Sequence, residues 1–415
     1  GIPTLRGVGS SGKQVAGSLR FRQESSAYLS RTSGTPTNQQ KMTFSFWMKK
    51  SSAAATRNIL FTNDSGSSYG YFEIYSDNSL TCGDYGSGGY SSTFKFVDPT
   101  RWYHIVVAFD TTQASATNRM IVYVDGVRDG GSYAGLTQNG NLYLNASGYT
   151  SQIGSFTRIG VYSGVYLSEF YLIDGQQLTP SSFGELNIDN IWVPKAYSGT
   201  YGNNGCYLPM NSSINFKNDQ SGNSNNWTPN VFNVTTANAS YDLVTDSPTD
   251  YLSGSMTTAN NVGNYATLNP YSAAAAISLS GGNLTVSSSS GSTQQRIGTI
   301  VLSSGKWYFE VNMTSVGGGA ADSLIGISEV VNNTSYTSNY PGQSSTSYAA
   351  YCYLGNSFLQ KVNGATFTNT NTTSPSTGDV MGIAFDLDSG KLWIAKNNTW
   401  VDSGNPSTGT NAAFS

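Results

Sequence analysis

Apolar and polar residues alternate along most of this chain with a period of two. The clearest case is Met42-Thr-Phe-Ser-Phe-Trp-Met-Lys49, where Met42, Phe44, Phe46 and Met48 make one face and Thr43, Ser45, Trp47 and Lys49 the other. That spacing predicts a strand with one buried and one mixed side. Similar runs lie at Ser18–Arg22, Arg57–Phe61, Tyr69–Tyr75, Trp102–Asp110, Arg119–Val127, Ser155–Val161 and Val165–Ile173. Asp64-Ser-Gly, Ser87-Gly-Gly, Asp125-Gly126, Asp129-Gly-Gly and Asn139-Gly140 punctuate them, and such pairs supply the positive φ angles of tight hairpins. One helical or 3₁₀ turn is expected at Thr179–Gly184, with Thr179 as cap and Pro180 at the first position.

Residues 186–270 change character. Trp192-Val-Pro-Lys, Asp219-Gln-Ser-Gly-Asn-Ser-Asn-Asn-Trp-Thr-Pro and Asp246-Ser-Pro-Thr-Asp are rich in turn formers and poor in periodic apolar positions. Their Trp and Tyr residues need something to pack against, so this reads as an ordered, loop-rich connector. Alternation returns at Gly282–Ser287, Arg296–Leu302, Lys306–Met313, Ser323–Ser328, Ala349–Leu354, Ser357–Val362 and Val380–Asp386. A final hairpin spans Lys391–Lys396 and Asn397–Trp400. The expected architecture is all-β: an arm (1–17), a first antiparallel sandwich (18–185), the connector (186–270) and a second sandwich (271–415).

Composition narrows the chemistry. Only 11% of the 415 residues are charged, and the formal net charge is −3. Nucleic acid is therefore not an expected partner, since that requires a basic face to displace counterions. High aromatic content argues against disorder. No apolar run is long enough for a membrane-spanning helix, so no membrane insertion is expected, and the start lacks the apolar core of a signal peptide. Cys82, Cys206 and Cys352 are too far apart for a CxxC pair or a disulfide framework. His104 is the only histidine, so a zinc site built on histidines is excluded and it reads as a core residue.

Four segments in order, Phe44-Ser-Phe-Trp-Met-Lys-Lys, Arg101–Asp110, Met120–Val127 and Gly164–Gly175, resemble the laminin-G or concanavalin A-like jelly roll. Gly305-Lys-Trp-Tyr-Phe-Glu-Val, Leu324-Ile-Gly-Ile, Gly378–Asp388 and Gly390–Trp400 resemble a SPRY domain. Against that pattern the sequence stops, at Ala413-Phe-Ser415, before the closing strands such domains have; a continuing polypeptide or a partner would complete the sheet. Ser26-Ala-Tyr-Leu-Ser-Arg-Thr, Ile173–Glu185, Trp192-Val-Pro-Lys and Asn264–Pro270 are similar to stretches in virion appendage proteins of tailed marine and environmental phages. That resemblance implies a tail fibre or capsid-surface decoration on the virion, with other virion proteins as partners and a homo-oligomer, a trimer by analogy.

Three chemistries compete for the site. Aromatic turn residues Tyr85, Tyr90, Tyr149 and Tyr162 are placed to stack on sugar rings, which implies weak, multivalent binding to host or environmental glycans. Calcium is the alternative at Asn63, Asp64 and Asp77, or at Asp219 with Asn223, with Asx-turn duty the simpler reading. A polysaccharide depolymerase needs paired carboxylates, retaining ones about 5–5.5 Å apart. Glu73 with Asp77, Glu169 with Asp174, and Glu310 alone do not make such a pair by spacing, so no catalytic residue and no enzyme activity is expected. A purely structural virion connector without ligand is the remaining alternative.

Overall fold

The computed structural model describes residues 12–51, 57–85, 88–187, 190–235, 241–249, 263–271, 277–288, 295–315, 323–329, 340–353 and 356–415. The chain is all-β, and it forms two compact units. One lies within Thr4–Tyr271 and includes Leu279–Val286; the other lies within Ser272–Ser278 and Ser287–Ser415.

The first unit is built on two eight-stranded antiparallel sheets. The first sheet runs Val127–Arg128, Met120–Val124, Tyr103–Asp110, Lys41–Lys50, Val165–Asp174, Ser18–Phe21 and Leu243–Val244, and Cys206–Leu208 also pairs with Val165–Asp174. The second runs Ser132–Ala134, Gly88–Lys95, Ser79–Asp84, Tyr69–Ile74, Asn58–Asp64, Thr150–Ile153, Tyr28–Thr32 and Thr228–Asn230. Alternation sends Phe44, Phe46, Phe61, Phe72 and Phe170 into one core between the sheets. Phe44 meets Phe61 and Phe72 with ring centroids 4.6 Å apart in both cases. Burying such rings is worth about 1.5–3 kcal/mol each and fixes the register.

The stretch expected as a connector is woven into this unit. Cys206–Leu208 and Leu243–Val244 extend the first sheet and Thr228–Asn230 the second, while Met210, Phe216 and Trp227 join the core. Trp192, Val244, Asp246, Asn264 and Tyr265 of this stretch meet the mixed face of Lys41–Lys50. Trp47, Trp102 and Tyr166 pack there with Trp192, and Lys49 is fully buried. Lys49 Nζ donates to Asp246 Oδ2 at 2.9 Å, and Trp102 Nε1 donates to Asp246 Oδ1, also at 2.9 Å.

Local expectations needed revision where side-chain alternation and backbone geometry part company. Ser155–Val161 is not one strand: Ser155–Phe156 and Val161–Tyr162 flank a 3₁₀ turn at Thr157–Ile159, closed by Gly160 at φ +66°. The Thr179 turn forms as 3₁₀ Pro180–Ser182, but Thr179 makes no cap; its hydroxyl meets that of Ser181. Asp125 and Gly126 both take positive φ, as the hairpin requires.

The second unit holds two four-stranded antiparallel sheets. Lys306–Asn312, Val380–Asp386, Lys391–Lys396 and Thr399–Trp400 form one; Ser323–Ser328, Ser347–Cys352, Phe358–Asn363 and Thr366–Thr373 the other. Met381, Ile383, Leu392, Ile394, Leu359 and Cys352 fill the space between. Phe414 makes an antiparallel bridge to Leu392. Arg296–Leu302 forms no strand, only a bridge at Gly298, whereas the Thr- and Asn-rich Thr366–Thr373 is a full one.

Candidate functional site

A cleft of about 320 Å³ opens on the outer face of the second sheet of the first unit, lined by Arg57, Tyr69, Tyr71, Phe156, Arg158 and Ile159. Strand periodicity builds its floor. Along Tyr69–Ile74, Phe72 and Ile74 point into the core, so Tyr69, Tyr71 and Glu73 point outward. Across the neighbouring strands Tyr71 sits opposite Gly83, and Gly83 opposite Gly89, so no side chain rises beside the Tyr71 ring there.

The wall is the 3₁₀ turn at Thr157–Ile159. Gln152 pins its start: Thr157 N donates to Gln152 Oε1 at 3.0 Å, and Gln152 Nε2 donates to Thr157 Oγ1 at 2.7 Å. This presents Phe156, whose ring lies 5.0 Å from that of Tyr69, and Arg158, whose guanidinium lies 5.1 Å from the centre of the same ring. Tyr85, 55% exposed, stacks on Tyr69 with ring centroids 4.9 Å apart.

Two arginines flank the rings and their charges are unequally engaged. Arg57 donates from Nε and Nη2 to the two oxygens of Glu73, each at 2.8 Å, and Thr81 Oγ1 adds a third contact. Hydrogen bonding to Glu73 holds the Arg57 pKa above its ordinary value. Burial, with Glu73 adding to it, pushes the Tyr71 hydroxyl up, so that phenol stays neutral and able to donate. Among the described residues Arg158 has one charged partner, its Nη1 lying 3.5 Å from Asp64 Oδ1. Chemically the cleft offers stacking faces and hydrogen-bond donors, the combination a sugar ring with polar substituents requires.

None of the four tyrosines expected to recognise sugars lines this cleft; Tyr85 comes nearest, by stacking on Tyr69, which does. Tyr90 is 8% exposed, belongs to the core, and donates its hydroxyl to Asp129. It is therefore not free to bind. Tyr149 stacks on Tyr143 at 6.1 Å and is not part of the cleft lining. Tyr162 pairs with Ser155 on the hairpin that carries the wall, and its ring lies 6.1 Å from that of Tyr28. Tyr69 and Tyr71 were legible as an outward face of tyrosines; Arg158 and Phe156 carried no such signal.

The calcium candidates do not form one rim. Asp64 ends one strand and Asp77 lies in the turn beyond Ile74, at opposite ends of Tyr69–Ile74, a span of about 20 Å at 3.4 Å per residue. Asn63 is buried, donates to the Tyr143 and Ala146 carbonyls and accepts from the Ser33 and Ser151 hydroxyls. Asp64 accepts from Gly66 N; Asp77 accepts from Ser79 and Lys95, which hold its carboxyl well below the usual range. Asp219 accepts from Tyr207 N, Ser221 and Asn225 N, while Asn223 donates to the Gly202 and Gly205 carbonyls. Among the described residues no three Asp, Glu, His or Cys side chains are grouped as a metal ion would need.

The carboxylates weighed for hydrolysis are likewise spoken for. Glu169 sits at a bulge with φ +53° and holds Lys13, Tyr171 and Tyr207. Asp174 accepts from Thr37 N, Asn204 N and Asn145 Nδ2. Glu310, in the second unit, accepts from Tyr308. His104 is buried between Trp47 and Trp192: Trp192 Nε1 donates to its Nδ1 at 2.9 Å, so Nε2 carries the proton toward Ser45. Burial pulls its pKa down to about 3. All three cysteines are buried and free.

A pair of facing antiparallel sheets with one core between them makes the first unit a β-sandwich. Comparison agrees: residues 23–165 match the family model of the concanavalin A-like lectin/glucanases superfamily, and residues 306–410 match that of the SPRY domain. No curated protein matches the chain by sequence. Solved structures similar to it include a native heptameric SAP-like pentraxin from Limulus polyphemus (18% identity, 40% of this chain and 80% of that one, TM-score 0.31). Domains LG4-5 of the mouse laminin α1 chain are similar over 97% of this chain and 81% of theirs (10% identity, TM-score 0.32). Botulinum neurotoxin type C, whose cell entry depends on interaction with two ganglioside molecules, is similar over 37% of this chain and 40% of its own (14% identity, TM-score 0.25).

Proposed function

We propose that this protein binds glycans through the Tyr69–Tyr85 cleft, without turnover, as an attachment protein on the surface of a tailed-phage virion. The observation that carries the binding is the cleft itself: the rings of Tyr69, Tyr71 and Phe156, with Tyr85 stacked on Tyr69, beside two guanidiniums. Sugars present one apolar face and a rim of hydroxyls, which rings and fixed donors match. The acids nearest the cleft, Glu73 and Asp64, are paired with Arg57 and Arg158, which favours recognition over acid–base chemistry.

The virion assignment rests on the resemblance of stretches such as Ile173–Glu185 and Trp192-Val-Pro-Lys to phage appendage proteins. A shallow site binds weakly, and many copies on one particle, trimers in this reading, convert weak contacts into durable attachment. With few charged residues, most such contacts would escape screening by salt. The test is an oligosaccharide array probed with the intact protein, free and displayed on beads. Binding to surface polysaccharides that strengthens sharply on beads is expected; none in either format contradicts the proposal. Antibodies to the protein should label intact particles.

A further inference from the structure

We infer that the cleft selects acidic sugars, residues bearing a carboxylate or sulfate, and that Arg158 is the residue that selects them. This rests on the glycan-binding reading above and names the ligand class for the same site. Three observations carry it.

First, the two arginines differ in what they have left to give. Arg57 spends Nε and Nη2, two nitrogens of its fork, on Glu73. Arg158 touches Asp64 through Nη1 alone, at 3.5 Å, and among the described residues its Nε and Nη2 have no hydrogen-bond partner. A planar fork with adjacent free donors is what a carboxylate or sulfate engages in two parallel bonds.

Second, the fork is positioned before any ligand arrives. The Arg158 guanidinium lies over the Tyr69 ring, and its backbone is held in the turn that Gln152 pins and Gly160 closes. A side chain already held loses less freedom on binding. The same Tyr69 ring stacks with Tyr85, so the cation and the sugar-stacking platform meet at one residue.

Third, the acids that balance these cations are not part of the cleft lining and are little exposed. Its lining includes both arginines and neither Glu73 nor Asp64. The Glu73 side chain is 3% exposed and that of Asp64 15%, against 38% for each arginine. A ligand therefore meets donors, while the carboxylates that hold them stay behind and would repel an anion less than their number implies.

The test is titration of the intact protein with hexamers of galactose, of galacturonate and of sulfated galactose, at low and physiological salt. At low salt at least one acidic hexamer should bind about tenfold or more tighter than the neutral one, the scale of a hydrogen bond between charged groups. Arg158→Gln should abolish that preference, bringing acidic and neutral hexamers to equal affinity, and Arg158→Lys should restore only part of it. Galacturonate over sulfated galactose would identify the carboxylate as the group read; the reverse order would identify sulfate. Equal affinity for neutral and acidic hexamers overturns this inference and leaves glycan binding standing. A preference that survives in Arg158→Gln, with an unchanged melting temperature, overturns the role of Arg158. Absence of binding to every hexamer overturns both readings.

Discussion

Tyr85 lies on Tyr69 with ring centroids 4.9 Å apart and planes inclined by 26°, on a sheet face where neighbouring positions are glycine. Because Tyr85 is largely exposed, its ring contributes little to the core. Tyr85→Ala should weaken glycan binding by about three- to tenfold, the worth of one stacked aromatic pair. The folding midpoint should stay nearly unchanged. Tyr90→Ala should do the opposite, lowering stability through the lost core ring and the hydroxyl's bonds to Asp129 and from Gly131 N, while leaving affinity in the surviving folded fraction intact. Affinity and melting measurements on both variants check this.

How much of this was readable in advance differs between fold and site. Strands with an apolar face, such as Met42–Lys49 and Val380–Asp386, declared themselves because one side had to be buried. Thr366–Thr373 and Gly88–Lys95 did not, since a strand can be specified by its neighbours' hydrogen bonds with few apolar residues of its own. The 186–270 stretch announced by its aromatics that it was ordered, yet not that Trp227 would enter the core beside Phe61. At the site, Tyr85 and Tyr90 sit in the same Gly-rich turn and look alike in sequence. What separates them is strand parity: Tyr90 pairs opposite Cys82 on the core face. Arg158 reaches Tyr69 across 89 positions, a juxtaposition that only the sheet order creates.

Two buried titrating groups should impose opposite pH dependences on the first unit. Burial raises the Asp84 pKa to about 7, above the ordinary value near 3.9. Its stabilisation is therefore complete below about pH 4 and is lost as pH rises toward 7. Burial lowers the His104 pKa to about 3, and the Trp192 N–H aimed at Nδ1 leaves no acceptor for a second ring proton. That contribution is complete above about pH 6.5 and is lost as pH falls toward 3. Between pH 4 and 6.5 the two slopes oppose each other. Urea midpoints of the wild type should be nearly flat there, those of Asp84→Asn should rise with pH, and those of His104→Gln should fall. Parallel slopes in all three proteins would contradict the assignment.

Asp246 ties the covering layer to the first sheet by accepting from both Lys49 and Trp102. Asp246→Ala should cost about 3–5 kcal/mol, because it leaves the buried Lys49 ammonium without its counter-ion, with only the neutral oxygens of Asn264 and Tyr265 to accept from it, and the Trp102 indole N–H without its acceptor. Lys49→Met combined with Asp246→Leu should recover most of that loss, since the apolar pair needs no charge compensation. Chemical denaturation followed by Trp fluorescence separates the two outcomes; equal losses in both variants would mean that packing alone, not the stranded charge, sets the cost.

The sharpest check of the whole account is a hydrogen-exchange footprint of the intact protein with and without a polysaccharide it binds. Slowed exchange confined to residues 69–73, 81–85 and 155–159 is the expected result. Slowing that maps to the second unit, or to the Tyr143–Tyr149 loop with the cleft unchanged, would contradict it.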